Sequence, residues 1–152
     1  MSDQRKVIPG VHLIFQKYNN DIGENEYLLH KRMNTNFFDK HFSVPGGHID
    51  DYETPTDCVV REGKEELGVD IDPKYIKFAN VLYRIKKSDH EVRIDFCYII
   101  TKWKGILKAN EQHKHSEPAW YPLSKFPTPV VPYVLQAIQD IESGIAYTKT
   151  DI

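Results

Sequence analysis

The chain has 152 residues, 40% hydrophobic and 12% aromatic, with a formal net charge of −2. That length and composition suit one globular domain with a real core. The balanced charge offers no basic surface for a nucleic-acid polymer. No apolar run is long enough to span a membrane, and the N-terminal MSDQRKVIPG lacks a signal peptide's apolar stretch. Cys58 and Cys97 fall in a predicted helix and a predicted strand, where they read as small buried apolar residues rather than a disulfide. A soluble cytoplasmic protein is the expectation.

In chain order, Val7 to Phe15 and Glu26 to Arg32 are predicted strands, joined by a polar loop from Tyr18 to Glu24. A short strand is expected at His41 to Pro45, and Pro45-Gly46-Gly47 reads as a strand end plus a turn. Thr54 is placed to cap a helix, with Pro55 in its first turn, Asp57 as the capping-box acid and Gly68 as its stop. That helix is predicted over about Pro55 to Leu67. Ile76 to Ile85 and Val92 to Trp103 are rich in β-branched and aromatic residues and form the next two strands, with Lys86 to Glu91 between them. Val92, Ile94 and Phe96 alternate with Arg93 and Asp95, the period of a half-buried strand. A short strand at Pro118 to Tyr121 follows. The last helix starts near Val131, with Val134, Leu135, Ile138 and Ile141 on one face and Gly144 as its stop.

The segment GHIDDYETPTDCVVREGKEELGV, Gly47 to Val69, carries the chemistry. Glu62, Glu65 and Glu66 stand at i, i+3 and i+4, on one face of the predicted helix. Like charges so placed repel by roughly 0.2–0.5 kcal/mol per pair, which a purely structural helix has no reason to accept. Hard oxygen ligands in a cluster suit Mg2+ or Mn2+, which in turn gather phosphate oxygens.

This segment resembles the Nudix box, G-x5-E-x7-R-E-U-x-E-E-x-G-U, with U a bulky apolar residue. Gly47, Glu53, Arg61, Glu62, Glu65, Glu66 and Gly68 match every fixed position, and Val69 matches the last U. At residue frequencies near ~7% a chance match of this kind is roughly one in a million, so the pattern is taken as a motif. It departs at the first U, where Gly63 replaces a large aliphatic residue. A mid-helix glycine costs about 1 kcal/mol relative to alanine and removes a core anchor. The resemblance covers nearly the whole chain and implies a single α+β domain, an α/β/α sandwich around a mixed sheet. It also implies that Glu65 and Glu66 are metal ligands, that Glu62 is a ligand, a base or both, and that the Gly47 carbonyl is a further ligand. An Arg61–Glu53 ion pair would hold the loop to the helix.

Outside the box, Arg32 ends a predicted strand where Nudix domains often carry a phosphate-facing arginine; a surface arginine is the alternative. The stretch RMNTNFFDKHFSVPGGH resembles a MutT-like subgroup, which makes Asn34, Asp39 and Gly46 candidate pocket residues, against a solvated turn. Glu111, in the polar loop Lys104 to Ser116, matches a loop glutamate that serves the family as metal ligand or general base, with Glu117 as competitor. His113 and His115 form an H-x-H pair, but no third ligand stands at useful spacing, so a solvated loop accounts for them. Tyr83, Phe96, Phe126 and Tyr133 are candidates to stack on a base, with core packing as their default role.

The resemblance therefore implies Mg2+-dependent (or Mn2+-dependent) hydrolysis of the phosphoric anhydride in a nucleoside diphosphate linked to a moiety X. Homodimerisation is a family expectation. Subclass markers are absent: Arg84 stands where ADP-ribose hydrolases carry proline, and Val130 where 8-oxoguanine sanitisers carry asparagine. A non-catalytic nucleotide-sensing module is the alternative function, although such modules usually lose box carboxylates. An isoprenoid diphosphate isomerase on the same fold departs further, since it needs a catalytic cysteine.

Overall fold

The computed structural model describes residues 4–151. The described residues form eight strands, β1 (Lys6–Asn19), β2 (Glu24–Lys31), β3 (Phe42–Ser43), β4 (Gly46–His48), β5 (Ile76–Lys86), β6 (Glu91–Ile100), β7 (Ala119–Pro122) and β8 (Tyr147–Asp151), and two helices, α1 (Pro55–Leu67) and α2 (Pro132–Glu142). The main sheet runs β3-β2-β1-β6-β5-β8, with β4 also paired to β1 and β7 to β2. The β1–β6 and β5–β8 pairs are parallel and the others antiparallel, so the sheet is mixed.

Strand alternation sends side chains to two separate cores. Leu13 and Phe15 of β1, Leu28 of β2 and Tyr98 and Ile100 of β6 pack with Cys58, Val59 and Leu67 of α1. Ile14, Tyr27, Leu29, Leu82 and Cys97 pack on the other face with Val134, Ala137 and Ile138 of α2. Both sheet faces are covered, which makes the α/β/α sandwich. Both cysteines are free and buried. Among the described residues, no helix is long and apolar enough to cross a membrane.

Helix α1 begins and ends where its sequence dictates. The Thr54 hydroxyl accepts from the Asp57 amide and the Asp57 carboxylate accepts from the Thr54 amide, and Gly68 closes the helix at φ 70°. Three expectations need correction. The Pro45-Gly46-Gly47 stretch is no turn: Gly46, Gly47 and His48 pair with His12, Val11 and Gly10 of β1. β1 continues to Asn19, since Gln16 to Asn19 pair with Glu24 to Tyr27. β6 stops at Ile100, short of Trp103. The C-terminal β8 was not foreseen; it docks parallel to β5 through positions of mixed polarity that carry no alternation signal.

Candidate active site

β4 brings the box loop against α1 at a distance only glycine allows. A Cβ on Gly47 would lie 2.1 Å from Glu62 Oε1, and one on Gly46 2.3 Å from the Val11 carbonyl oxygen. The Gly46 amide donates to Glu66 Oε2 at 3.1 Å. Glu62 and Glu66 are thereby carried inward, 8% and 7% exposed. Burial raises the Glu62 carboxyl to about 6, with Glu65 and Glu111 adding repulsion against the pull of Arg61. Burial likewise raises Glu66 well above the usual range, with the charges of Glu62 and Glu111 adding to it.

Arg61 organises the other side of the helix. Its Nε and Nη2 form a fork on Glu53 at 2.8 and 3.0 Å, Nη1 reaches Glu62 at 2.9 Å and Glu65 at 3.1 Å, and Nη2 also donates to the His48 carbonyl at 2.9 Å. The Arg61–Glu53 ion pair is thus present and ties the loop to α1. It holds the Glu53 carboxyl down at about 2. Glu65 stays at the rim with its side chain about half exposed.

A cleft of about 340 Å³ opens beside these carboxylates on the face of the sheet that α2 covers. Glu66, Gly46, Gly47 and Arg32 line it. Arg32 donates through Nε to the Phe37 carbonyl at 3.0 Å and through Nη2 to Thr35 at 3.2 Å. Asn34 and Asp39 do not line it: the Asn34 amide is spent on the His113 carbonyl at 2.7 Å, and Asp39 accepts from the Thr35 amide at 3.3 Å. Both are exposed and shape their own loop. Glu111 lies near enough to raise both Glu62 and Glu66 through its charge, and its own carboxylate is met by Lys114 at 3.4 Å. Glu117 instead accepts from the Ala109 amide at 3.1 Å.

The far wall holds residues that strand alternation concealed. Asp95, expected on a solvent face, is 5% exposed, accepts from Arg84 Nε at 2.7 Å and lies 3.2 Å from His12 Nε2. Burial would raise its pKa, yet His12 and Arg84 outweigh that and hold it at about 2. The Arg84 guanidinium also sits 4.0 Å over the Tyr133 ring, and its buried Nη1 has no partner. Of the four aromatic candidates, only Tyr133 lines the cleft; Phe96 and Phe126 pack against the two cores. His30 and His115, from β2 and the loop after β6, stack at 4.0 Å between ring centroids. Burial lowers the pKa of both imidazoles, His115 to about 4, so they are neutral near pH 7.

A mixed sheet between two helices, with buried carboxylates held against glycines beside a cleft, defines the class of fold. The NUDIX domain family model matches residues 13–140, and the chain belongs to that family. It is 35% identical over 94 residues to an ADP-ribose pyrophosphatase of Methanocaldococcus jannaschii, a match covering 62% of this chain and 54% of that protein. It is 26% identical over 109 residues to an 8-oxo-dGTP diphosphatase of Proteus vulgaris, covering 70% and 87% of the two chains. The chain thus spans about half the length of the first of these relatives and most of the second. In fold it is similar to a MutT NUDIX hydrolase of Burkholderia pseudomallei, with a TM-score of 0.75, 22% identity and 88% and 97% coverage. It also resembles the NUDIX domain of Shewanella oneidensis NrtR, solved with ADP ribose, at a TM-score of 0.70, 20% identity and 93% and 89% coverage.

Proposed function

We propose that this protein is a divalent-cation-dependent hydrolase that cleaves the phosphoric anhydride of a nucleoside diphosphate linked to a moiety X. The observation that carries this reading is the pair of buried carboxylates Glu62 and Glu66 packed against Gly47 and Gly46. Clustered buried acids with too little positive charge are what a hard cation relieves. The donor set fits Mg2+, with Mn2+ as substitute: Glu62, Glu66 and the Gly47 carbonyl would hold it, with Glu65 and Glu111 at the margin. When bound, the cation polarises the phosphoryl oxygens and stabilises charge on the leaving phosphate.

The chain's own residues supply the rest. Arg61, clamped by Glu53, fixes the helix against the loop and so sets the spacing between Glu62 and Gly47. Arg32 faces the cleft with a fixed positive charge and binds a substrate phosphate. Glu111 is paired with Lys114 and free of Arg61, and accepts the proton of the attacking water. Arg84, Asp95 and Tyr133 form the wall for the nucleoside or for X. Two buried free cysteines suit a cytoplasmic setting. Relatives that act on ADP-ribose and 8-oxo-dGTP make both compounds first choices as substrate.

A hydrolysis screen with Mg2+ tests this reading. The panel holds ADP-ribose, canonical and oxidised nucleoside triphosphates, nucleotide sugars and dinucleoside polyphosphates. Turnover of one class, reduced at least about 100-fold in Glu66→Gln and in Glu111→Gln, is the expected outcome, since general base and charge terms are each worth about 10²–10⁴. Nucleotide binding without product on every compound would instead make the protein a sensing module.

A further inference from the structure

The H-x-H pair has no third ligand in sequence, but the fold brings two further ligands to one of its members, His115. His113 stays in solvent, whereas His115 folds back over β2 onto His30, which is 3% exposed. One ligand atom each from His30, His115 and Glu66 lies within 4.8 Å of the other two. The buried Nδ1 of His115 has no hydrogen-bond partner. Two imidazole nitrogens and one carboxylate oxygen make a borderline donor set, poorly matched to Mg2+ and well matched to Zn2+ and its neighbours. We propose that His30, His115 and Glu66 form a second cation site, selective for a divalent transition metal ion, that adjoins the carboxylate cluster suited to Mg2+ and shares Glu66 with it.

The site has the form of an open centre, with three protein ligands and a remaining position toward the cleft that all three line. A tetrahedral ion at Zn–N distances of about 2.0–2.1 Å sets ligand atoms about 3.3 Å apart, inside the 4.8 Å that bounds their present separations. The rings now lie within 8° of parallel, and two parallel rings cannot both aim an in-plane lone pair at one ion. His115, on its loop, is the ring that turns, while His30 stays fixed in the sheet. The nearby charges are Glu62 and Glu111, which favour a cation, and Arg32 and Lys114, which oppose it. Arg32 acts against a cation at both His115 and Glu66, and its guanidinium is already engaged with Phe37 and Thr35. Glu66 is the one residue shared with the proposed Mg2+ cluster, so the two sites would adjoin through it.

Titration of the full-length protein with Zn2+ alone and with Mg2+ alone tests the site, read by calorimetry and by the ring-nitrogen resonances of the histidines. The expected result is one Zn2+ that shifts the His30 and His115 rings and leaves His113 unmoved. His115→Phe keeps the stacked ring, removes its nitrogens, and should weaken Zn2+ by at least about tenfold while changing Mg2+ affinity less than about twofold. Zn2+ that moves no histidine ring, or binds His115→Phe as tightly as the parent, overturns the proposal. Equal loss of both ions in His115→Phe also overturns it. Should the parent bind Zn2+ through the histidines yet fail to bind Mg2+, the hydrolase reading fails and this site stands.

Discussion

Gly63 and Ile71 share one volume: a Cβ on Gly63 would lie 2.5 Å from Ile71 Cδ1. The anchor that the box normally supplies from the helix comes here from the segment after it, and Ile71 is 4% exposed in the α1 core. Gly63→Leu should therefore destabilise by about 1–3 kcal/mol through overpacking. In an Ile71→Ala background that cost should shrink, giving a favourable coupling of about 0.5–3 kcal/mol in a double-mutant cycle. Urea unfolding of the four proteins measures it, and simple additivity would refute the shared volume.

The Arg61–Glu53 fork predicts an acid-sensitive loop. A carboxyl held at about 2 in the folded state, against about 4.3 unfolded, stabilises fully above the unfolded value and loses that contribution as pH falls toward the folded one. Unfolding curves between pH 5 and 2.5 should accordingly be steeper in pH for the parent than for Glu53→Gln. Parallel pH dependences would show that solvent screens the pair.

Much of this architecture was legible because local signals agreed with the global fold. Thr54, Pro55, Asp57 and Gly68 mark both ends of α1, and the box names its carboxylates directly. What stayed hidden depends on contacts distant in sequence. Asp95 and Arg93 look like a solvent face, but β6 is central in the sheet and α2 roofs that side, so its polar positions become a cleft wall. His30 reads as one polar residue in the apolar run of β2 until His115, far along the chain, stacks on it. β8 lacks any period because it is an edge strand that buries Thr148 alone, where Asn80 meets it at 3.1 Å.

Asp95 holds the far wall, and its removal should be costly. It is the carboxylate partner of Arg84, whose side chain is 5% exposed, and it also faces His12. Asp95→Ala leaves a buried guanidinium unpaired, at a cost of about 3–5 kcal/mol. Replacing both residues, as in Asp95→Leu with Arg84→Met, should restore much of that stability by chemical unfolding while leaving KM for the identified substrate raised. Recovery of KM along with stability would assign the pair a purely structural role.

The carboxylate cluster should make the metal-free protein less stable as pH rises. A carboxyl whose folded pKa is raised contributes stability that is complete below its unfolded value of about 4.3 and is lost as pH passes the folded value. That value is about 6 for Glu62, and Glu66 is displaced in the same direction. In chelator, the parent should thus lose stability as pH rises from about 4.3 through about 6, with Glu66 acting in the same direction. Glu62→Gln and Glu66→Gln should each flatten that slope and exceed the parent at pH 8. For Glu66→Gln the amide oxygen can still accept from Gly46, so the fold is kept. Mg2+ at 100 times its dissociation constant should return about 2.7 kcal/mol to the parent and far less to either variant. A variant less stable than the parent at pH 8 in chelator would mean that these acids are already compensated within the chain, and the case for a cation there would lose its electrostatic basis.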